Sequence, residues 1–265
     1  IRLSLVGSEM CIRDRCRRAD RRCDGGDGRS GRNHHAVVLG FGRRDDAGMS
    51  RHPETSEIFF VRHAPVVKKS GHVPPADPPI QDLDYRLERV AAMLPQGADW
   101  HVSPLLRAHQ TAALLTPLLA PKSMTESANL AEMDLGTWAE RPVAEVWEEI
   151  ERGPLHNWSF VTAELEPPGG DSFATLMKRV GSWMDEAAAG FTAEPQVVVA
   201  HSGVIRAALA HALQASPDHA VGVPVPHFGI LHLRLMDPAR AGAAGGHWLF
   251  AGLKDPEALP EAVAP

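Results

Sequence analysis

Three places in the chain set chargeable side chains directly behind an apolar run. "FFVRHAPVV" puts Arg62 and His63 after Phe59–Val61, "SPLLRAHQTA" carries Arg107, and "VVVAHSGVIRA" carries His201 and Ser202 after Val197–Ala200. Such groups are poor packing material, and what they share is an affinity for anions: a guanidinium forks onto phosphate oxygens with charge-assisted hydrogen bonds. Arg107 is informative because the start of a helix carries partial positive charge, so a cation there costs from a few tenths to ~1 kcal/mol. The conflict disappears if an anion binds beside it, where free backbone N–H groups already point outward. The helix after His201 offers a second such terminus. Taken singly, each residue has an ordinary use, an ion pair for an arginine or a structural strand end for a histidine. Their repetition at strand-to-helix turns is what points to a phosphate pocket. His109, Arg206 and His211 read instead as helix-face residues.

These side chains need strands to bring them together. "EIFFVRH" reads as a buried strand, followed by "KKSGHVPPADPPI", where repeated prolines forbid regular structure. "DLDYRLERVAAML" spaces Leu83, Leu87, Val90 and Leu94 as a helix, and "ADWHV" is a short strand. The next helix is predicted to begin with Ser103 as N-cap and Pro104 in its first turn. Further helices are expected over "PVAEVWEEIE", "DSFATLMKRVGSWMDEAAAG" and "GVIRAALAHAL", and strands over "PQVVVA", "FGILHLRLM" and "HWLFAGL". Alternation of this kind predicts an α/β fold, a three-layer α/β/α sandwich on a mostly parallel central sheet. In such sheets ligands bind beyond the carboxyl ends of the strands, where these residues lie. The strand "FGILHLRLM" is read as an exposed edge, where a homo-oligomer would pair.

Composition narrows the function further. The 265 residues carry a net charge of −6, which leaves no basic excess for phosphates along a duplex, so nucleic acid is not an expected partner. Apolar runs such as "IFFV" and "VVVA" are too short to span a bilayer, and the first residues lack the order of a secretory signal. A cytoplasmic protein is expected. Residues 1–48 differ in kind: they hold 11 Lys and Arg against 7 Asp and Glu, a net of +4 that leaves −10 for the remainder. Cys11, Cys16 and Cys23 all lie there, with His34 and His35 further along, in a spacing that fits no common zinc pattern. "EMCIRDR" can be encoded by DNA resembling a sequencing-adapter end. Residues 1–48 are therefore expected to be a non-native or disordered extension, residues 49–254 the catalytic domain, and residues 255–265 a solvated tail.

In this order, "FFVRHA", "SPLLRAHQTA", "LAEMDLGTWAE", "PPGGDSF" and "VVVAHSGVIRA" resemble the histidine phosphatase superfamily, which includes the cofactor-dependent phosphoglycerate mutases. The resemblance implies that His63 is a nucleophile taking phosphate as phosphohistidine. It makes Arg62, Arg107 and His201 the holders of the non-bridging oxygens, and Glu132 the proton donor to the leaving alkoxide. Ser202 and, in the first loop, Ser70 are implied as further phosphate contacts. Covalent catalysis of this type needs neither metal nor other cofactor. Asp134 and Glu140 rank below Glu132 as the acid. Two departures stand out: Ala64 replaces the usual glycine after the histidine, and "MDLGTWAERP" lacks the longer tyrosine- and glycine-containing segment of the mutases. "PPGGDSF" is also closer to the phosphatases, especially the branch resembling α-ribazole phosphatase.

A phosphomonoesterase acting on a small-molecule phosphate ester is therefore expected. The alternatives are a phosphoglycerate mutase-type transferase and a non-catalytic phospho-ligand module. A serine hydrolase on Ser202 fails, because "AHSGV" is not a G-x-S-x-G elbow. Trp138, Trp147 and Trp158 fall in the stretch that would cover the cleft, where specificity would reside, although packing is the ordinary use of each.

Overall fold

The structure is a computed structural model that describes residues 54–242 and 244–260. The expected extension over 1–48, with its cysteines, lies outside the described residues.

Six strands form one sheet in the order β3-β2-β4-β1-β5-β6. They are β1 (Thr55–Arg62), β2 (Asp99–Val102), β3 (Ser123–Glu126), β4 (Gln196–Ala200), β5 (Ile230–Met236) and β6 (Trp248–Lys254). β3, β2, β4 and β1 run parallel, while β5 and β6 are antiparallel additions. The helices are α1 (Leu87–Ala91), α2 (Leu106–Leu119), α3 (Val143–Ile150), α4 (Phe173–Ala189), α5 (Ser202–Leu213) and α6 (Pro217–Val221). None among the described residues is long and apolar enough to cross a membrane.

The continuous apolar runs of β1 and β4 are explained by burial on both faces. Ile58 and Phe60 of β1, with Val198 and Ala200 of β4, face α4, α5 and α6. Val61, with Val197 and Val199, faces α1 and α2 on the opposite side, where Phe59 also packs. This is the expected three-layer sandwich. A third cluster, Val73, Trp138, Val143, Val146 and Ile150, belongs to neither face. It forms a separate cap around α3.

Several elements depart from expectation for identifiable reasons. The helix over "DLDYRLERVAAML" shrinks to the five residues of α1, because the Arg86 N–H bonds the Ala258 carbonyl at 2.9 Å and holds the preceding segment extended. Residue 258 belongs to the expected solvated tail, yet Ala258 is buried and Leu259 packs beside it against α1 and α2. The strand "FGILHLRLM" is interior, paired with β1 on one side and β6 on the other. The edges are β6 and β3, and β3 is exposed along its whole length, so no apolar pattern announces it.

Candidate active site

Register gathers the three signals. Val61 pairs with Val199, and Val199 with Val102, so β1, β4 and β2 end side by side. The pairing runs one residue further on each side: the His63 N–H donates to Ala200 O and the Ser103 N–H to Val199 O, both at 3.0 Å. Arg62, His63, Ser103 and His201 thus leave the sheet together at its carboxyl edge. Arg62, His63, Arg107, Glu132 and Ser202 all line one cleft of about 910 Å³.

His63 is buried, and its ring is oriented by its own chain. Nδ1 lies 2.6 Å from the Ala64 carbonyl, which only accepts, so Nδ1 carries the proton and Nε2 keeps its lone pair. Burial first, then the charges of His201, Arg62, His227 and Arg107, hold its pKa well below the usual imidazole value. A neutral nucleophile is the state these surroundings favour. His63 itself therefore adds no acid limb as pH falls through 6.5, the ordinary imidazole value, and loss through its protonation is expected only once the lowered pKa is passed. A kcat/KM profile taken between about pH 4 and 8 checks this, because the free enzyme's ionisations appear there. An acid limb at or above the ordinary value would contradict the lowered pKa.

Ala64 explains how the usual glycine is dispensed with. Its φ is not in the left-handed region that favours glycine, and its N–H donates to Thr111 Oγ1 at 2.9 Å.

His201 is fully buried behind the cleft. Arg107 Nε–H donates to its Nδ1 at 3.2 Å, so the proton sits on Nε2, which donates to Ser103 Oγ at 2.6 Å. Both ring nitrogens are committed, one of them to Arg107, which lines the cleft. The expectation of His201 gripping phosphate oxygens directly does not match this arrangement. Burial, then Arg107 and Arg62, lower its pKa and keep it neutral, as acceptance from Arg107 requires. The Ser103 hydroxyl also accepts the Leu105 N–H at 3.3 Å.

Helix α2 consequently starts at Leu106, later than expected, and its first turn is capped by a loop residue. Asp77 accepts the Leu106 N–H at 2.9 and 3.1 Å on its two oxygens, and Arg107 Nη1 approaches it at 3.4 Å. The anion that compensates Arg107 in this structure is a carboxylate of the chain itself.

The second helix terminus is likewise occupied. Glu132 Oε2 accepts the Gly203 N–H of α5 at 3.0 Å, and Oε1 accepts the Met133 N–H at 3.0 Å. The approach is so close that a Cβ at position 203 would sit 2.1 Å from Glu132 Oε1. The Glu132 loop is braced from beneath. Arg179 of α4 donates to Ala131 O at 2.7 Å and to Asp171 Oδ2 at 2.9 Å. Asp171 in turn donates its N–H to Asp134 O at 3.0 Å and accepts the Asp134 N–H. Where the two segments cross, a Cβ on Gly136 would meet Pro168 O at 2.3 Å, and one on Gly170 would meet Asp134 O at 2.3 Å. "LAEMDLGTWAE" and "PPGGDSF" are therefore one structural unit that presents Glu132.

Ser70 is not brought to the site. It is exposed at the tip of the first loop, whereas Lys68 and His72 from the same loop line the cleft. Burial and the nearby Arg62 lower the Lys68 pKa, as expected of a cation close to another. Arg206, read from sequence as a helix-face residue, also lines the cleft, with Nε donating to Val223 O at 2.6 Å. His109 and His211 do lie on helix faces, paired with Glu126 at 2.9 Å and Asp185 at 3.2 Å. Of the tryptophans, Trp138 is buried in the cap cluster, Trp147 packs against it and Trp158 is exposed. None lines the cleft.

One cleft residue had no sequence signal at all. His227 donates Nδ1–H to the His63 carbonyl at 3.0 Å and presents Nε2 to Arg62 Nη2 at 3.5 Å. Its pKa falls to about 3, chiefly through burial and then the charge of Arg62, partly offset by the bond to the His63 carbonyl. It stays neutral and orients the two residues that begin the motif. Arg62 also donates to the Val225 carbonyl. The next residue, Phe228, is fully buried at φ +60°, a sparsely populated conformation for a bulky side chain. It points the ring into the core while His227 faces the cleft. Strain of this kind, about 1–3 kcal/mol, gathers where surrounding structure over-determines a functional residue.

Comparison with known proteins follows the same lines. The sequence matches the histidine phosphatase superfamily (branch 1) over residues 58–240. The bifunctional protein Rv2228c of Mycobacterium tuberculosis (strain ATCC 25618 / H37Rv) is 34% identical over 114 residues, covering 43% of this chain and 30% of that one. The chain thus spans under a third of the curated relatives it matches. Among solved structures, the mycobacterial glucosyl-3-phosphoglycerate phosphatase Rv2419c superposes with a TM-score of 0.59 at 21% identity, covering 74% of this chain and 97% of that one. Phosphoglycerate mutase from Bacillus anthracis str. Sterne gives 0.62 at 14% identity, with 77% and 95% covered. Such identities speak for the fold alone. The match over residues 58–240, which takes in both histidines, both arginines and the glutamate at the end of the sheet, is what assigns this chain to the histidine phosphatase superfamily.

Proposed function

We propose that the protein is a metal-independent phosphomonoesterase that hydrolyses a small-molecule phosphate ester through phosphohistidine on His63. The observation that carries this reading is the His63 tautomer. A buried, neutral imidazole has Nδ1–H tied to Ala64 O and its free Nε2 in a cleft walled by Arg62, Arg107 and Glu132. In the first step Nε2 forms a bond to phosphorus as the ester P–O bond breaks. Arg62 and Arg107 hold the non-bridging oxygens, and Ser202 stands at the same end. Glu132 in its protonated form gives its proton to the departing alkoxide. In the second step a water attacks phosphorus, its proton returns to Glu132, and the P–N bond breaks to release inorganic phosphate and neutral His63. Positioning and charge supply most of the acceleration in phosphoryl transfer, and these groups provide both.

The test is phosphate release from a panel of phosphomonoesters in EDTA, with the enzyme quenched in alkali and analysed for bound phosphate. Turnover in EDTA together with alkali-stable, acid-labile phosphate on His63 is expected. Turnover without that adduct overturns the covalent route. Transfer to a second alcohol without net phosphate release would make the enzyme a mutase.

A further inference from the structure

Resting on the phosphomonoesterase reading, we infer that the leaving group is a bulky apolar alcohol, lodged against the cap, and not a small polyhydroxylated or acidic one. The cleft, at about 910 Å³, is far larger than a phosphate requires and is of the size that holds a drug-sized ligand. Its polar groups are unevenly distributed. Arg62, His63, Arg107 and Ser202 sit at the sheet edge, and Lys68 stands close enough to Arg62 to lose proton affinity, so these cations belong to the phosphate end. Away from it, the cleft is lined by Val73, Met133, Leu135, Val143, Phe160 and Val161, with His72, Asp134 and Ser159 as polar residues beside them in the chain. These six side chains offer no hydrogen-bonding group except the weak thioether of Met133.

Phe160 is the centre of that wall and is held rigidly. Its ring meets Trp147 edge-on at 5.0 Å and Trp138 at 6.4 Å. Trp138 is fixed by its Nε1–H to Glu149 Oε2 at 2.9 Å, and Glu149 is fixed by Arg141 at 2.7 Å. The cap is also tied to the first loop, with Val73 N–H donating to Arg141 O and Val143 N–H to Gly71 O, both at 2.9 Å. A preformed apolar wall binds an apolar group with little ordering cost. A hydroxyl-rich leaving group placed there would lose water and find few partners, which a site rejects strongly. Arg206 lines the cleft as well, with its Nε committed to Val223 O and its charge retained.

The experiment compares two primary alkyl esters, 2-(1-naphthyl)ethyl phosphate and glycerol 1-phosphate, whose leaving alcohols have similar intrinsic reactivity. The expected kcat/KM ratio is at least about 100 in favour of the naphthyl ester. Phe160→Ala should lower kcat/KM for the naphthyl ester about tenfold, mainly through KM, and leave the glycerol ester within about twofold. Phe160→Leu, which keeps the cap packed, should fall between. A calorimetric comparison of 2-(1-naphthyl)ethylphosphonate with methylphosphonate separates binding from chemistry. If glycerol 1-phosphate or 3-phosphoglycerate is turned over as well as the naphthyl ester, the inference is overturned while the phosphatase reading stands. If no ester is hydrolysed but the naphthyl phosphonate binds at least about tenfold more tightly, the apolar subsite is upheld and the hydrolytic reading fails. Equal binding of the two phosphonates overturns the subsite.

Discussion

Replacing His63 by alanine is expected to lower phosphate release at least ~10³-fold, which corresponds to about 4 kcal/mol of barrier. The magnitude follows from what is lost. Alanine removes the imidazole whose Nε2 keeps its lone pair, and with it the proposed covalent step. The remaining cations still bind phosphate esters, so substrate affinity should change much less than turnover. The fold should persist, because the His63 N–H and carbonyl keep their bonds to Ala200 O and His227 Nδ1, and the ring gives up only its bond to the adjacent Ala64 carbonyl. Circular dichroism and thermal unfolding, measured beside phosphate release, separate loss of chemistry from loss of structure. A variant as active as the parent would mean that phosphorus is attacked by some other group.

The second large effect is expected at a residue that has no side chain. In Gly203→Ala, the new methyl would lie 2.1 Å from Glu132 Oε1 and 2.7 Å from Leu176 Cδ2. Glu132 is the end of a flexible side chain and can swing away, so stability should change little while the carboxyl leaves the N-terminus of α5. General acid–base groups contribute about 10²–10⁴-fold, so a loss on the order of 10²-fold is expected in Gly203→Ala and at least as much in Glu132→Gln. The informative comparison is the double variant. If glycine acts only by admitting Glu132, combining the substitutions costs no more than Glu132→Gln alone, a non-additivity expected of residues that act as one unit. Additive losses would mean that the glycine acts otherwise than by admitting Glu132, and an unimpaired Glu132→Gln enzyme would detach Glu132 from the chemistry.

Much of this arrangement was legible in the sequence because one physical rule governs it. Strands buried on both faces read as continuous apolar runs, and polar residues directly behind them mark the sheet edge where ligands bind; Arg62, His63, His201 and Ser202 obey it at β1 and β4, whereas β2 is short and half-buried and Arg107 follows it at a distance, in α2. His227 breaks it for a topological reason. β5 is antiparallel to β1, so the residues before it, not after it, lie at that edge, and a search behind strands passes over "PVPHFG". Lys68 was missed by two positions, because a proline-rich loop has no periodicity to say which side chain turns inward. The anion at α2 was anticipated in kind, but Asp77 supplies it across a loop whose path no local pattern encodes. Strand β3 went unseen because an edge strand exposed on both faces is held by backbone bonds, which every sequence possesses.

The crossing of Gly136 with Gly170 carries an implication for how such an enzyme diversifies. Thr137 N–H donates to Pro168 O at 3.0 Å, so the cap segment between them leaves and returns through adjacent backbone positions. It is an excursion clamped at its neck. Lengthening a loop whose ends already meet adds only about 0.6 kcal/mol of closure entropy for each doubling. The excursion can therefore be exchanged like a cassette, with a longer or differently shaped insert grafted above the clamp, while the Arg179–Asp171 brace keeps Glu132 where the chemistry needs it. Selectivity and reactivity reside on opposite sides of one glycine pair, which makes the neck the natural splice point for redesign.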